Sequence, residues 1–366
     1  MAIRVPLSTV SLSEREHLYV REAMESSMIS SAGPAVRAFE AALASRLEVA
    51  HVVATSSGTC ALELALRALA VGPGDEVLVP ALTFASPVAA VLLVGATPIL
   101  VDVSEATWTI DPVEARRHRT RRTKAIIAVD VFGHPSDYDA LAALDLPIIE
   151  DAAEAAGARY KGRPVGSLGD IAILSFHANK VIATGEGGCV ATNDPLLAER
   201  ARCLGNFGMS PALRYWHEVP GHNHRMSNLV AAVGLAQTER WDELIAARAE
   251  VARFYDAALA GTPVTRRPVA DWAEEATWLY TIASERRTEI LDACAAAGID
   301  ARAIWPAVPD QPAFRAFAQG HYPVARWLSG TALWLPTSAS LSIADLGEVA
   351  AAVFGALACE PAAAHA

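Results

Sequence analysis

The feature that most restricts the fold is a rhythm: short apolar runs rich in Val, Ile and Leu recur along the chain, most of them followed by a stretch of helical character. Such runs read as strands buried on both faces. Strands separated by helices pair in parallel, so the chain should build a mainly parallel sheet covered by helices. The runs cover 51–55, 76–79, 98–101, 125–131, 147–150, 171–176 and 189–192, and a helix over 13–28 precedes them. A long helical pattern from Ser227 to about Ala260 leads out of this unit. Beyond it, a strand over 278–283, a helix over 288–297 and a final helix over 343–357 point to a smaller α+β unit. We therefore expect an α/β protein with a large domain over residues 1–240 and a small C-terminal domain over 241–366, because 366 residues exceed what one core usually fills. The stretch Glu360 to Ala366 reads as a frayed tail, and there is no internal repeat.

Several function classes drop out on composition. Hydrophobic residues make up 52% of the chain, yet no apolar run approaches the roughly 20 residues that cross a bilayer. Met1 to Ser8 lacks the long apolar segment of a secretory signal, so a cytoplasmic location is expected. A net charge of −11 argues against a nucleic-acid partner, whose phosphates would be repelled, and leaves room for a small anionic ligand only where arginines gather. The five cysteines are scattered, with no Cys-x-x-Cys pair to hold zinc or a redox centre. They are expected to be reduced and mostly buried.

Lysine usage narrows the chemistry. The chain has three lysines, Lys124, Lys161 and Lys180, against 27 arginines. A guanidinium stays protonated and cannot act as an amine nucleophile, so a lysine kept in a special place is a candidate for one. Lys180 lies between the apolar run ending at Phe176 and the cluster Gly185, Gly187 and Gly188, on a loop joining two strands. The alternative is a solvated surface lysine.

Other candidates also follow strand ends, where ligands collect in open α/β sheets. Gly58, Thr59 and Cys60 open a helix and offer free N–H groups and a hydroxyl to a phosphate, or form an ordinary helix cap. Ser175 could add its hydroxyl to the same phosphate. Phe84 could lie against a flat ligand or belong to the core. Asp151 ends a buried run, where a carboxylate needs a cation such as a protonated ring nitrogen, or caps the next helix. Glu154 could reach the same ligand. His217, His222 and His224 have no regular spacing with acidic or cysteine ligands, so no metal site is expected, and Asn223 and Arg225 in that loop read better as anion binders. No Walker string is present, and the only glycine-rich stretch of dinucleotide type precedes a strand instead of opening a helix.

Taken together, SSGTCALELAL at 56–66, GDEVLVPALTFAS at 74–86, EDAAEAAGARYKG at 150–162, GSLGDIAILSFHANKVIATGEGGCVATND at 166–194 and GHNHRMSNLVAAVGLAQ at 221–237 resemble the DegT/DnrJ/EryC1/StrS family of sugar aminotransferases. The resemblance implies the aspartate aminotransferase fold (fold type I) and pyridoxal 5'-phosphate (PLP) as cofactor. It assigns Lys180 as the lysine that binds PLP covalently and shuttles a proton, and Asp151 as partner of the pyridinium nitrogen. Glu154 would lie near the ring hydroxyl, Phe84 on the ring face, and Gly58, Thr59, the amide of Cys60, and Ser175 around the phosphate. It also implies a homodimer with shared sites, in which Asn223 or Arg225 completes the neighbour's phosphate site. The lysine block together with Arg-Met-Ser-Asn at 225–228 looks like the branch that holds GDP-perosamine synthase and similar sugar 4-aminotransferases. Two departures bear on the sugar. Relatives often carry histidine before Gln-Pro, where this chain has Asp310, and many have histidine in place of Asp130. The expected reaction moves an amino group from glutamate to a keto sugar nucleotide, with Arg225, Arg214 and Arg302 as candidates for the diphosphate or as solvated surface arginines. The alternatives are a 3-keto sugar nucleotide, a keto-cyclitol, and a non-catalytic regulatory protein on the same fold.

Overall fold

A computed structural model describes residues 3–358. The expected tail, 360–366, and Cys359 lie outside the described residues. In chain order the strands are β1 (His51–Thr55), β2 (Glu76–Pro80), β3 (Thr97–Val101), β4 (Thr123–Val129), β5 (Ile148–Asp151), β6 (Arg159–Tyr160), β7 (Arg163–Pro164), β8 (Ile171–Ser175) and β9 (Gly188–Thr192). Seven of them form one sheet in the order β1-β9-β8-β5-β4-β2-β3. Only β9 runs against the rest. Each expected run is a strand, shifted by two residues at most, because these strands are buried on both faces and leave a nearly unbroken apolar signature.

Helices α1 (Glu14–Glu25), α2 (Pro34–Leu47), α3 (Gly58–Ala68), α4 (Ala85–Leu93), α5 (Pro112–His118), α6 (Tyr138–Ala142), α7 (Pro195–Leu204) and α8 (Asn228–Glu239) accompany this sheet. α1 starts at a capping box: Ser13 accepts from the first turn and Glu16 bonds back to the Ser13 amide at 2.7 Å. The long helix expected from Ser227 to Ala260 is two helices. It breaks at Arg240, and α9 (Trp241–Ala258) starts anew. Arg240 leaves helical geometry at φ −99°, ψ 14°, and its guanidinium is held by the Ser11 carbonyl, Glu16 and Glu243. These tertiary contacts outweigh the local helical preference.

Strands β10 (Thr265–Arg266), β11 (Ala273–Glu274), β12 (Tyr280–Ala283), β13 (Arg302–Ala303) and β14 (Ala332–Leu335) follow, with helices α10 (Arg287–Ala296), α11 (Pro323–Thr331) and α12 (Ile343–Ala358). A second sheet runs β10-β12-β14-β13, with neighbours antiparallel. It packs its own core, Tyr255, Ile282, Leu333, Leu335, Val349 and Val353, against α9, α10 and α12. β11 instead joins β6 and β7 beside the first sheet. Among the described residues no helix is long and apolar enough to cross a membrane.

The reversed strand β9 sets the geometry at the sheet's carboxyl edge. Gly188 pairs with Thr55 of β1 and with Ser175 of β8, and a Cβ there would lie 2.6 Å from the backbone of Ser57 and Gly58. Only glycine lets these strand ends approach so closely. Gly188→Ala should therefore destabilise the protein by about 1–3 kcal/mol, the usual cost of overpacking. Denaturant midpoints of the two proteins measure it, and an unchanged midpoint would mean that the edge can yield.

Candidate active site

The carboxyl ends of β1, β2, β5 and β8 meet around a cavity of about 470 Å³. Ser57 ends the β1 segment in extended geometry and caps α3 by accepting the Cys60 amide at 3.1 Å. The cap reading is thus correct for Ser57, while Gly58 and Thr59 still face the cavity. A Cβ on Gly58 would sit 2.9 Å from that of Ser175, so the α3 start and the β8 end close into one cradle. Thr59 shares a hydroxyl–hydroxyl hydrogen bond with Ser86 at 2.8 Å. Phe84 lies at the N-cap of α4 and is 53% exposed, which corrects its reading as core; it lines the cavity opposite Trp305, ring centres 6.2 Å apart.

Lys180 sits on a loop stitched by its own backbone. Ala178 bonds to the Gly185 carbonyl, Thr184 to Phe176 and Lys180 to His177, at 2.8–2.9 Å. Its Nζ lies 3.5 Å from Glu154 Oε1 and 3.9 Å from the ring centre of Trp278, so it is no solvated surface lysine. Desolvation pushes its amine below the usual lysine range, against the attraction of Glu154 and Asp151. The second oxygen of Glu154 accepts the Phe132 amide at 3.0 Å, from a residue held in the left-handed region at φ 56°.

Asp151 ends β5 facing the cavity and accepts a single hydrogen bond, from the Ala153 amide at 3.1 Å. Its neighbour Glu150 points to the other face and receives three amides, from Gly166, Leu168 and Gly169. Burial pushes the Asp151 carboxyl up to about 7, with the Ala153 bond opposing and Glu154 adding repulsion. A buried carboxylate so poorly satisfied costs several kcal/mol unless it takes a proton or meets a cation. This is the observation that fits PLP best. The ring nitrogen would meet Asp151, the aldehyde carbon would meet Lys180, and the phosphate would meet the cradle of Gly58, Thr59 and Ser175.

Not every candidate comes to the cavity. Arg302 lines it, but its guanidinium is doubly bonded to Asp300 at 2.7 and 2.8 Å, so it does not stand free. Arg214 is in an exposed segment and stacks on its own neighbour Tyr215 at 4.8 Å. Arg225 lines a different cavity of about 290 Å³ and donates to Asn223 at 3.0 Å. His222 and His224 both turn to Glu63, at 3.6 and 3.1 Å, and His217 bonds to the Phe207 carbonyl. Among the described residues no three His, Cys, Asp or Glu side chains are placed to share a metal ion. The described cysteines are free thiols. Cys189 and Cys294 are buried, while Cys60 and Cys203 are half-buried. Burial pushes the Cys60 thiol up, but hydrogen bonds with His224, Ser56 and Ser57 outweigh it and bring it down to about 7.

The cavity also holds residues that sequence reasoning missed. Trp278, Trp305 and Trp334 form an aromatic wall with centres 5.0–6.2 Å apart, and His177, Asn179 and Glu186 stand at the Lys180 loop. The family block around Lys180 was the available signal for the loop residues. Nothing local distinguishes the three tryptophans from core aromatics.

The model of the DegT/DnrJ/EryC1/StrS aminotransferase family matches residues 10–354. The chain belongs to this family. This DegT/DnrJ/EryC1/StrS aminotransferase is 41% identical over 361 residues to GDP-perosamine synthase of Caulobacter vibrioides, covering 96% of this chain and 97% of the relative. It is 40% identical over 313 residues to dTDP-3-amino-3,4,6-trideoxy-alpha-D-glucose transaminase of Streptomyces venezuelae, covering 83% and 82%. The crystal structure of S. venezuelae DesV superposes with a TM-score of 0.93 at 35% identity, over 98% of this chain and all of that one. The protein is thus a PLP-dependent aminotransferase on the α/β architecture of its family.

The raised Asp151 carboxyl has a consequence for the cofactor-free protein. An acid whose folded pKa exceeds its unfolded one contributes stability that is full below the unfolded value and lost as pH rises through the folded value. The Asp151 contribution should therefore fall between the ordinary carboxylate range and about pH 7. Asp151→Asn should flatten that part of the profile of denaturant midpoint against pH. Parallel profiles would show that Asp151 is ionised without penalty.

Proposed function

We propose that the protein transfers the amino group of glutamate to the keto carbon of a nucleotide-activated deoxysugar, most favourably a 4-keto-6-deoxyhexose. The observation that carries this is the convergence of Lys180, Asp151, Glu154 and the Gly58–Thr59–Ser175 cradle on one cavity. When bound, PLP supplies a cationic ring that draws electrons from the carbon bearing the amino group. The chain's part is to hold and move protons around it. Asp151 keeps the ring nitrogen protonated by charge pairing. Lys180, its proton affinity lowered by burial, would carry a proton between the substrate carbon and the cofactor carbon, in one direction for the amino donor and in the other for the sugar. Glu154, fixed by the Phe132 amide, orients the Lys180 amine and would lie near the ring hydroxyl. Phe84 would cover a ring face, and the tryptophan wall would shield the reacting carbons from water.

The nucleotide is supported by the names of the relatives from Caulobacter vibrioides and Streptomyces venezuelae, one a GDP and the other a dTDP sugar enzyme. An acidic chain must meet a diphosphate with local positive charge. Arg302 lines the cavity and would supply that charge by exchanging Asp300 for the diphosphate. Neither Asn223 nor Arg225 lines its own chain's cavity, and in a homodimer one of them would complete the neighbour's phosphate site.

Borohydride reduction of the PLP-loaded protein should fix the cofactor to one peptide, that of Lys180. Lys180→Ala should lose turnover by roughly a thousandfold or more, the scale of positioned proton transfer. Label on Lys124 or Lys161 would overturn the assignment.

Arg302→Ala should raise KM for the sugar nucleotide far more than KM for glutamate, since only the former brings a diphosphate. Equal turnover of the free keto sugar would remove the nucleotide from the proposal, and turnover confined to a 3-keto sugar nucleotide would move the reacting carbon. Mixing Lys180→Ala chains with chains carrying both Asn223→Ala and Arg225→Ala should restore activity in heterodimers. No recovery would show that each chain builds its own site.

A further inference from the structure

Beneath the Lys180 loop lies a charge that the chemistry above does not use. Arg248, in the middle of α9, is 3% exposed. It pairs with no carboxylate among the described residues. Its guanidinium donates instead to the carbonyl of Trp278, the carbonyl of Lys180 at 3.2 Å and the Ser8 hydroxyl at 3.3 Å. Trp278 in turn donates its indole N–H to the Asn179 carbonyl at 2.9 Å and places its ring under the Lys180 ammonium. One buried cation thus holds the backbone of the lysine and the residue on which its amine rests.

We propose that Arg248 is a positioning residue for Lys180: it locks the lysine loop onto Trp278, and as an unpaired buried cation it favours the neutral, nucleophilic form of the Lys180 amine. A neutral donor would satisfy the same carbonyls without the several kcal/mol that burying an unpaired charge costs. What a cation adds is its field, unscreened in a dry interior.

The groups facing the Lys180 amine are few. Asp151 and Glu154 approach from the segment ending β5 and attract the charged form. Arg248 from α9 repels it. His177 and Glu186 of its own loop and Arg302 of the second sheet line the same cavity. Burial is the largest influence on the amine and Arg248 acts in the same direction, so the two carboxylates do not prevail. The Arg248 guanidinium is itself drawn down to about 10 by desolvation, which leaves it charged at neutral pH.

The inference rests on Lys180 being the cofactor lysine, yet its test needs no cofactor. Trace acetylation of the cofactor-free protein with acetic anhydride across neutral to alkaline pH, read by peptide mass spectrometry, yields the titration midpoint of each lysine. Lys124 and Lys161, both exposed, are internal references, with Lys161 raised by its ion pair with Asp139. The Lys180 midpoint should lie below both in the native chain. Arg248→Gln, which keeps hydrogen-bond donors but no charge, should raise it, so that less neutral amine is present at a fixed pH. Arg248→Lys should keep it low. A midpoint unmoved in Arg248→Gln, or moved equally in both variants, would overturn the electrostatic role. If Arg248→Gln does not fold, a native Lys180 midpoint no lower than the references overturns it alone. Borohydride labelling away from Lys180 would instead refute the cofactor assignment and leave these midpoints standing.

Discussion

The site is organised around a carboxylate that the fold buries and leaves largely unsatisfied. Glu150 and Asp151 are adjacent on β5 and point to opposite faces, as strand geometry requires. The Glu150 carboxylate is closed off by three amides from the 166–169 turn, whereas Asp151 keeps one amide and an open cavity. The parallel sheet thus supplies two carboxylates of opposite destiny from consecutive residues. One ties a turn to the sheet, and the other holds no ion pair within 4 Å among the described residues.

Around that deficit the charges alternate in space. Asp151 and Glu154 stand on one side of the Lys180 amine, and Arg248 lies beneath its backbone. No group in this row can be exchanged for a neutral one without shifting the proton balance of the next, because low dielectric lengthens the reach of each charge. The turn that begins at Asp130 belongs to the same arrangement. The buried Asp130 accepts from the Ser136 amide and the Tyr138 hydroxyl, which fixes the bend presenting the Phe132 amide to Glu154. Asp130 is therefore tied to the loop and does not line the cavity.

Much of the fold was legible because buried parallel strands cannot hide: 76–80 and 123–129 are apolar almost throughout. Lys180 was legible because the chain uses arginine nearly everywhere else, and Asp151 because a carboxylate at the end of an apolar run needs a reason. What was not legible depends on contacts between distant segments. The break at Arg240 comes from Ser11 and Glu16, some 220 residues earlier. Arg248 reads as one more helical arginine until Trp278 and Lys180 are seen to fold over it. Arg302 reads as a free charge until Asp300 is found beside it. Phe84, an apolar residue after a strand, suits a core equally well on pattern alone, and only the open edge of the sheet puts it at the rim.

The tryptophan wall has an optical consequence. Trp278, Trp305 and Trp334 sit within about one ring diameter of each other and border the cavity that holds Lys180 and Asp151. Excitation absorbed by one indole passes readily to the next at such spacing, so the three behave as a single antenna. A yellow cofactor lodged beside them would drain that antenna, and the protein's own ultraviolet emission would become a running record of whether its site is filled.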